Sequence, residues 1–455
     1  MAEEYDDNLS FLSVAILTTI AGALGIVFYL IFYKSKIQIN DANEPVPKNS
    51  FANDESTNKP SKTTATKSFQ KKKPSNKDSS GVSHPLLVAS LKGHTGTVLK
   101  IDFSSNGKFM ASCAEDRTAR LWNVKDFVLK DHKYSRVNVE FDHATSISFS
   151  PDSRAFIVSL GLLKTIRVYK INKKKDEGNS SIAVRQEFDF PSQHKGDILN
   201  AEISSTGKFI MSADKDTQII IWSLKGDVLE KIDTLLVYNS LVSISPCGNL
   251  VAACGFTSDV KIWNVGFNKS NGEFQQVSKV LELKGHSAGV LSFSFTNDSK
   301  RVGTVSKDGT WKIWDIDVNY LKGQDAYLVK TGSYTPPPDG MSTHIALSHD
   351  YFTVALALGT SIQLYNATTQ ELGEELTDVH QGNITDLKWH SESRQLVSAG
   401  GTDRSIRVWH NPVGVQASLN DLEEKLPKAK SESMKERIKQ QIEDSKKVSI
   451  KSTCW

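Results

Sequence analysis

Short runs in which apolar and polar residues alternate return throughout residues 85–413 of this 455-residue chain. In the run 98–103 the apolar side chains Leu99, Ile101 and Phe103 alternate with Lys100 and Asp102. A period of two predicts a β-strand with one buried face, and polar turn-forming residues separate consecutive runs. The region is therefore predicted to be all-β.

Two further markers recur in this region and give the same count. An aromatic residue preceded by a β-branched residue or leucine ends the third strand of each unit. The seven pairs, 41 to 53 residues apart, are Leu121-Trp122, Val168-Tyr169, Ile221-Trp222, Ile262-Trp263, Ile313-Trp314, Leu364-Tyr365 and Val408-Trp409. Polar turns after the first strands lie at 105–107, 150–152, 204–207, 245–248, 296–298, 348–350 and 391–393. Seven similar units of four strands are typical of a β-propeller.

A pattern of four residues, called the tetrad below, recurs at fixed spacing within alternate units. Its copies are His94, Ser112, Asp116, Trp122; His194, Ser212, Asp216, Trp222; His286, Thr304, Asp308, Trp314; and His380, Ser398, Asp403, Trp409. In the first three copies 22 residues separate His from Asp and 6 separate Asp from Trp; the fourth has one more residue, at Gly400-Gly401. This spacing is typical of WD40 repeats, so the prediction is a seven-bladed WD40 β-propeller.

A buried hydrogen-bond chain explains the identity of the four residues. The Asp can accept from the imidazole, which can donate to the hydroxyl, which can accept from the indole N–H. Ser, His and Asp also form hydrolytic triads, but a hydrolase needs one triad and this chain has four in register. We therefore predict a structural role and no catalytic, cofactor or metal residues.

The tetrad is incomplete in blades 2, 4 and 6, so apolar packing is expected to hold those blades. Blade 2 keeps His143 but has Leu163 where the Asp is expected, and in blade 4 Asp259 is out of register.

The ring of blades in a propeller must also close between the last blade and the first. The apolar run 85–91 precedes Gly93-His94 and is predicted to be the outer strand of the last blade, paired with the sheet that ends at Trp409.

The first 84 residues differ from the propeller region. An acidic segment, 1–10, precedes 23 uncharged residues, Phe11 to Tyr33, which are long enough for a transmembrane helix. A cleaved signal peptide is the alternative, but the acidic flank and the length of the run disfavour it. Lys34 and Lys36 follow the run and predict a cytosolic propeller by the positive-inside rule. Residues 34–84 are predicted to be a disordered basic tether.

After the propeller, residues 415–447 are predicted to form short α-helices, followed by a tail at 448–455. Leu419, Leu422 and Leu426 share one helical face, and a second stripe comprises Met434, Ile438 and Ile442. Pro427 is expected to separate the two helices. We expect the apolar stripes to pack on the propeller rim, and binding of a separate partner is the alternative.

Composition excludes several classes of function. The formal net charge is +3, which is no global signature of nucleic-acid binding, and the four cysteines have no metal or disulfide spacing. No P-loop, dinucleotide turn or His-Glu-x-x-His motif is present, so the chain is predicted to bind partners and not to be an enzyme. The candidate partner-binding residues precede each tetrad Asp, on the top face of the propeller: Glu115, Lys215, Lys307 and Thr402.

Longer strings resemble one family more closely than WD40 proteins in general. They lie at 103–108, 138–140, 142–145, 154–158, 206–211, 221–226, 255–263, 283–288 and 305–315. These strings are similar to the transducin beta-like protein 2 family. The resemblance implies a single-pass endoplasmic-reticulum membrane protein with a cytosolic propeller. It also implies a scaffold for a stress-sensor kinase of the unfolded-protein response, with a role in translational control.

Two other functions stay open. The chain could regulate a small GTPase at the reticulum membrane, as exchange factors with a single span and a WD propeller do, although their anchor follows the propeller. The basic tether, with Lys71-Lys72-Lys73, could instead contact RNA, the ribosome or anionic lipid. No small-molecule substrate is expected.

Overall fold

The computed structural model describes residues 84–129, 132–176, 179–390, 395–429 and 431–453. These residues form seven four-stranded antiparallel sheets, followed by two α-helices. The first strands of consecutive sheets contact one another around a complete circuit, and the last contacts the first. The protein is thus a closed seven-bladed propeller, as the repeats predict.

The strands are numbered in chain order from the outer strand of blade 7. Blade 1 contains β2 (Val98–Phe103), β3 (Phe109–Ala114), β4 (Thr118–Asn123) and β5 (Tyr134–Asn138). Blade 2 contains β6 (Ala144–Phe149), β7 (Ala155–Leu160), β8 (Ile166–Asp176) and β9 (Asn179–Asp189). Blade 3 contains β10 (Ile198–Ile203), β11 (Ile210–Asp214), β12 (Gln218–Trp222) and β13 (Val228–Asp233).

The remaining blades follow the same order. Blade 4 contains β14 (Asn239–Ile244), β15 (Leu250–Gly255), β16 (Asp259–Phe267) and β17 (Phe274–Lys284). Blade 5 contains β18 (Val290–Phe295), β19 (Arg301–Ser306), β20 (Thr310–Asp315) and β21 (Tyr327–Ser333). Blade 6 contains β22 (Thr343–Leu347), β23 (Thr353–Leu358), β24 (Ser361–Asn366) and β25 (Leu372–Leu376). Blade 7 contains β26 (Ile384–Trp389), β27 (Gln395–Gly400), β28 (Ser405–His410) and β1 (Leu87–Lys92).

The N-terminal strand closes the ring, as the run 85–91 predicts. β1 pairs with β28 in antiparallel register, with Leu91 opposite Ile406 and Lys92 opposite Ser405. Leu91 is 1% exposed and packs in a cluster with Trp122 of blade 1 and Val408 of blade 7. Strands from the two ends of the propeller therefore share one sheet, which leaves no open edge at the junction.

Side chains on the inner strands join neighbouring blades. A carboxylate on the first strand of one blade accepts a backbone N–H from the first strand of the next. Asp386 accepts from Ile101 at 3.0 Å, Asp102 from Phe149 at 2.8 Å and Glu202 from Ile244 at 2.7 Å. Hydroxyls of Ser146, Ser148, Ser292 and Ser294 accept in the same way. These bonds satisfy inner-strand N–H groups that have no partner within their own sheet.

The same pair of hydrogen bonds, made by a Ser or Thr hydroxyl, recurs in turns between first and second strands. In blade 1 the Ser104 hydroxyl donates to Asn106 at 2.9 Å and accepts from the Phe109 N–H at 2.9 Å. The same bonds recur in blades 2, 5 and 6, from Ser150, Thr296 and Ser348. A side-chain oxygen thus replaces a missing ladder partner at each turn, which explains the Ser and Thr at these positions.

The charged residues 173–178 favour a loop in the outer part of blade 2, whereas in the structure β8 continues to Asp176 and pairs with β9 from Asn179. Lys173 lies opposite Ile182 in this ladder. The two strands extend as a long hairpin because antiparallel pairing can continue beyond the sheet wherever both chains stay extended.

The two C-terminal helices are α1 (Pro412–Lys425) and α2 (Glu432–Thr453). The Asn411 side chain caps α1 by accepting from the Gly414 N–H at 2.9 Å. Leu419, Ile438 and Ile442 pack in one cluster that contains no propeller residue, so the apolar stripes cover each other. The expectation that they pack on the rim is wrong for these residues. Among the described residues, the start of α1 docks on the propeller, where Val413 joins the core of blades 6 and 7.

The predicted transmembrane helix at 11–33 and the tether at 34–84 lie outside the described residues, save for His84. Within the described part of the chain, no helix is long and apolar enough to cross a membrane.

Candidate partner-binding site

Three of the four predicted tetrads form as the spacing requires. In blade 1 the His94 Nδ1 lies 3.0 Å from Asp116, its Nε2 lies 2.8 Å from the Ser112 hydroxyl, and Trp122 Nε1 donates to that hydroxyl at 2.8 Å. Blades 5 and 7 repeat these bonds at 2.8 to 3.0 Å, through His286, Thr304, Asp308 and Trp314 and through His380, Ser398, Asp403 and Trp409. The tetrad links the connection between blades to the second and third strands.

The protonation of the tetrad histidines sets the direction of these bonds. Burial lowers the pKa of His94, His286 and His380 below its usual range, although the neighbouring carboxylates oppose this shift. A neutral imidazole that donates from Nδ1 to the carboxylate must accept at Nε2. The hydroxyl therefore donates to the histidine, which is the reverse of the direction expected from the sequence.

The Asp of blade 3 is not the predicted one. His194 Nδ1 lies 3.1 Å from Asp214, at the end of β11, whereas Asp216 is exposed in the following turn. Ser212 lies 2.6 Å from His194 Nε2 and accepts from Trp222 at 2.8 Å, as predicted.

A hydroxyl two residues after the turn Asp explains the difference. Thr118, Thr310 and Ser405 donate to the tetrad carboxylates of blades 1, 5 and 7 at 2.6 to 2.9 Å. Blade 3 has Gln218 at this position, so Asp216 lacks that anchor. Asp214 instead accepts the backbone N–H of Gln218 at 3.0 Å.

Blade 2 is not held by apolar packing alone, which corrects the expectation for the even blades. The buried carboxylate of Asp142 accepts backbone N–H groups from Leu162 at 3.0 Å and from Leu163 at 2.9 Å. It thereby satisfies the turn from which the expected Asp is missing. Arg167 adds a two-bond ion pair with Asp189, at 2.7 and 2.8 Å. The signal in the sequence is an Asp directly before His143.

The tetrad hydroxyls are not accessible to a substrate. Ser112, Ser212, Thr304 and Ser398 are each 0% exposed. A nucleophile must reach the reacting carbonyl, so this burial favours the structural role over a hydrolytic triad. Among the described residues no group of three or more His, Cys, Asp or Glu side chains could hold a metal ion.

The central channel has its own charged network. The channel encloses a cavity of about 530 Å³ that is lined by the first strand of every blade. Lys100 pairs with Asp386 at 3.3 Å and Lys388 with Asp102 at 2.8 Å, and both pairs join blades 7 and 1. The charges compensate one another, so the network serves ring closure better than it serves ligand binding.

The four candidate partner-binding residues all lie in turns between second and third strands. Glu115, Lys215, Lys307 and Thr402 are exposed there, on the end of the propeller that also carries the tetrad histidines. We refer to this end as the top face. The four residues belong to blades 1, 3, 5 and 7 and therefore form no single cluster.

The same face exposes apolar side chains that sequence reasoning missed. They lie on the even blades: Phe141, Leu162 and Leu163 on blade 2, Leu235, Val237, Tyr238 and Phe256 on blade 4, and Met341 at the start of blade 6. The sequence contained an indication of these side chains, namely apolar residues in turns and connections. These residues occupy connections and turns where the odd blades carry the polar tetrad and its neighbours, and a turn normally favours polar residues.

Comparisons with known proteins agree with this architecture. The family model "WD domain, G-beta repeat" matches residues 86–123, 186–223, 277–315 and 373–410, which end at the third strands of the four blades with a tetrad. Transducin beta-like protein 2 of Mus musculus is 49% identical over 79% of this chain and 80% of its own length. The Homo sapiens protein of that name is 48% identical over 79% of each chain. Apoptotic protease-activating factor 1 of Homo sapiens is 24% identical over 72% of this chain and 27% of its own length.

Proposed function

The chain belongs to the transducin beta-like protein 2 family, and on that premise we propose that it is a membrane-anchored, non-catalytic WD40 scaffold. The proposal places the propeller on the cytosolic face of the endoplasmic reticulum, where it binds protein partners. Support comes from 48–49% identity across about 80% of the chain.

The observation that carries the binding role is the contrast between the tetrads and the top face. The polar groups that could resemble catalytic residues are buried, while large apolar side chains and lysines are exposed on the same end of the molecule. Soluble domains expose such apolar groups together chiefly where another molecule covers them.

The proposed partner is a stress-sensor kinase of the reticulum membrane, in the unfolded-protein response and in translational control. The family resemblance supports this choice, and the uncharged segment 11–33 with the lysines that follow supports the location. A tether of about fifty residues gives a random-coil reach of roughly 35–45 Å, which is enough for the propeller to meet a membrane-bound partner.

Capture of the kinase's cytosolic domain by the purified full-length chain tests the proposal directly. We expect capture of the kinase's cytosolic domain, and proximity labelling from the propeller in stressed cells should mark the same kinase. A chain with residues 1–33 replaced by an unrelated signal anchor is the matched control, and it should retain capture. Labelling that is identical with and without stress, together with no capture, would contradict the proposal.

The two alternatives have separate assays. Accelerated nucleotide release from a reticulum-associated GTPase would favour a regulator of that class. Crosslinking of RNA to the tether lysines, lost when Lys71, Lys72 and Lys73 are replaced by Ser, would favour RNA or ribosome contact.

A further inference from the structure

Blade 4 exposes four apolar side chains close together on the top face, and we call these the blade 4 patch. Leu235, Val237 and Tyr238 lie in the connection that precedes β14, and Phe256 lies in the turn after β15. Their exposed fractions are 70%, 68%, 38% and 57%, and the rings of Tyr238 and Phe256 are 5.8 Å apart. Between them Leu236 is fully buried, so the connection is anchored in the core.

The backbone of this connection is strained. Leu235 and Val237 have φ angles of 53° and 69°. The left-handed region disfavours side chains with a Cβ, most of all β-branched ones such as Val. If exposure to solvent were the only requirement at these positions, Gly or Asn would be expected, because both adopt the left-handed region more readily. Strain of this kind persists only where surrounding contacts impose it, and it concentrates at functional sites.

The contacts that impose this conformation come from Asn239 and Lys261. The Asn239 side chain donates to the Asp214 carbonyl at 3.0 Å and accepts from the Thr234 hydroxyl at 2.8 Å. Lys261 Nζ donates to the carbonyls of Thr234 and Leu235 at 2.9 and 3.3 Å. With both ends of the connection held, the side chains of Leu235 and Val237 remain in solvent.

Backbone hydrogen bonds place one lysine on each side of the patch. On the blade 3 side, the Lys215 carbonyl accepts from Asn239, the residue after Tyr238, at 3.0 Å. On the blade 5 side, the Lys307 N–H donates to Gly289 at 3.1 Å, and Gly289 lies against the Phe256 carbonyl. The backbones of two exposed lysines thus lie on either side of the patch.

The charge around the patch is not fully compensated by the described residues. Lys307 has no carboxylate within ion-pair distance among them. Lys215 has only Asp197, at 3.6 Å, which also lies 3.9 Å from Lys164. The exposed Asp216 and Asp233 also lie beside the patch, and the Asp233 carboxylate accepts the N–H of Leu235 at 2.9 Å, so the charge without a nearby carboxylate among these residues is that of Lys307.

We propose that the blade 4 patch binds a polypeptide segment of a partner protein in which bulky apolar side chains are flanked by acidic residues. The apolar side chains would cover Val237 and Phe256, and the carboxylates would meet Lys215 and Lys307. This inference rests on the proposed function and identifies the surface and the chemistry of the partner. A partner whose apolar anchor lacked acidic neighbours would leave Lys307 without a counter-charge.

Selection from a random-peptide library displayed on phage, against the purified full-length chain, tests the proposal. We expect enriched peptides with large aliphatic or aromatic residues beside Asp or Glu. A synthetic peptide from the selection should bind about tenfold more weakly to Val237→Asn and to Phe256→Ser, since burial of an apolar anchor supplies most of such affinity. Lys215→Glu with Lys307→Glu should weaken binding several-fold, and added salt should reduce the affinity of the original chain.

The Val237→Asn variant separates binding from folding. Asn tolerates the left-handed region, so this variant should melt at the same or a higher temperature while it loses peptide binding. Leu321→Ser, at an 87% exposed position away from the top face, is the matched control and should keep binding. A lower melting temperature for Val237→Asn would assign the residue a structural role and overturn the proposal.

Two other results would also overturn it: no enriched sequence, or enriched peptides that bind the patch variants as well as the original chain. Flotation with vesicles of phosphatidylcholine, with and without phosphatidylserine, covers the membrane alternative. Vesicle binding that depends on Val237 and Phe256 would make the patch a membrane contact. Kinase capture is measured with the same variants. If these variants still capture the kinase and no peptide binds the original chain, the proposal for the blade 4 patch is contradicted. The proposed function then remains intact.

Discussion

At the scale of single residues, each tetrad depends on one carboxylate that satisfies a buried histidine. Asp308 accepts from His286, from the Thr310 hydroxyl and from the Ser287 N–H. These bonds outweigh the effect of burial and bring the pKa of Asp308 down to about 2. The carboxylate is therefore ionised at neutral pH and accepts all of these bonds, and its loss leaves buried donors without a partner.

Replacement of this carboxylate should destabilise the fold. We expect Asp308→Ala and Asp116→Ala each to cost about 1–3 kcal/mol of unfolding free energy. In blade 3 the same loss should follow Asp214→Ala and not Asp216→Ala, since only Asp214 bonds to His194. Urea titration of the four variants measures this. Equal stability of the two blade 3 variants would contradict the assignment of Asp214.

The tetrad histidines His94, His286 and His380 make the stability of the fold depend on pH. Because their folded-state pKa is lowered, the unfolded chain binds more protons below its ordinary histidine pKa of about 6.5. Stability should be complete above that pH and should fall on acidification, by about 1.4 kcal/mol per pH unit for each proton taken up. The carboxylates whose pKa is lowered, Asp116, Asp308 and Asp403, add a further loss only below about pH 4.

Urea midpoints measured between pH 8 and 5 would show this dependence. The variant His380→Asn is expected to be less stable than the original chain at every pH. Its stability should nevertheless fall less steeply on acidification, because it takes up one proton fewer on unfolding. A slope unchanged by the substitution would mean that other groups carry the dependence. His344 is one such group, since burial and Lys100 lower its pKa to about 4.

At the scale of elements, strand positions could be read from the sequence because burial imposes a period of two. The seven aromatic closers all lie on third strands, and the strand that begins at Leu87 closes the ring as predicted. The Asp of blade 3 could not be assigned, because two acidic residues lie two positions apart and the choice depends on Gln218. The blade 4 patch was missed because it lacks the polar residues by which blades are recognised.

The closing strand should be essential for stability. A chain that starts at residue 84 should fold cooperatively as a soluble monomer, whereas one that starts at 94 should melt at a much lower temperature, since it loses β1 and the buried Leu91. Leu91→Asp in the longer chain tests the same contact by a single change. Equal melting of the two truncated chains would show that the ring does not need this strand.

At the scale of the whole molecule, the proposed topology has a direct test. Asn-x-Ser/Thr acceptor sites occur at Asn179, Asn268, Asn297, Asn366 and Asn383, and Asn297 and Asn383 are exposed. A cytosolic propeller should carry no glycan on any of them. Because Asn8-Leu9-Ser10 is a further acceptor site outside the propeller, a mass shift after glycosidase treatment of the Asn8→Gln protein from cells would place the propeller in the lumen. Asn297→Gln, which should abolish part of such a shift, is the control.

The pairing of β1 with β28 also sets the time at which the molecule can be completed. About 315 residues separate Leu91 from its partner Ile406. At a synthesis rate of about 5–20 residues per second, the ribosome takes roughly 16–63 s to supply the second strand after the first has been made. For that interval the first strand is an unpaired apolar edge beside a growing row of finished blades. The nascent chain should therefore expose this edge to chaperones until Ile406 has left the ribosome, and a ribosome stalled before that point should leave an open ring.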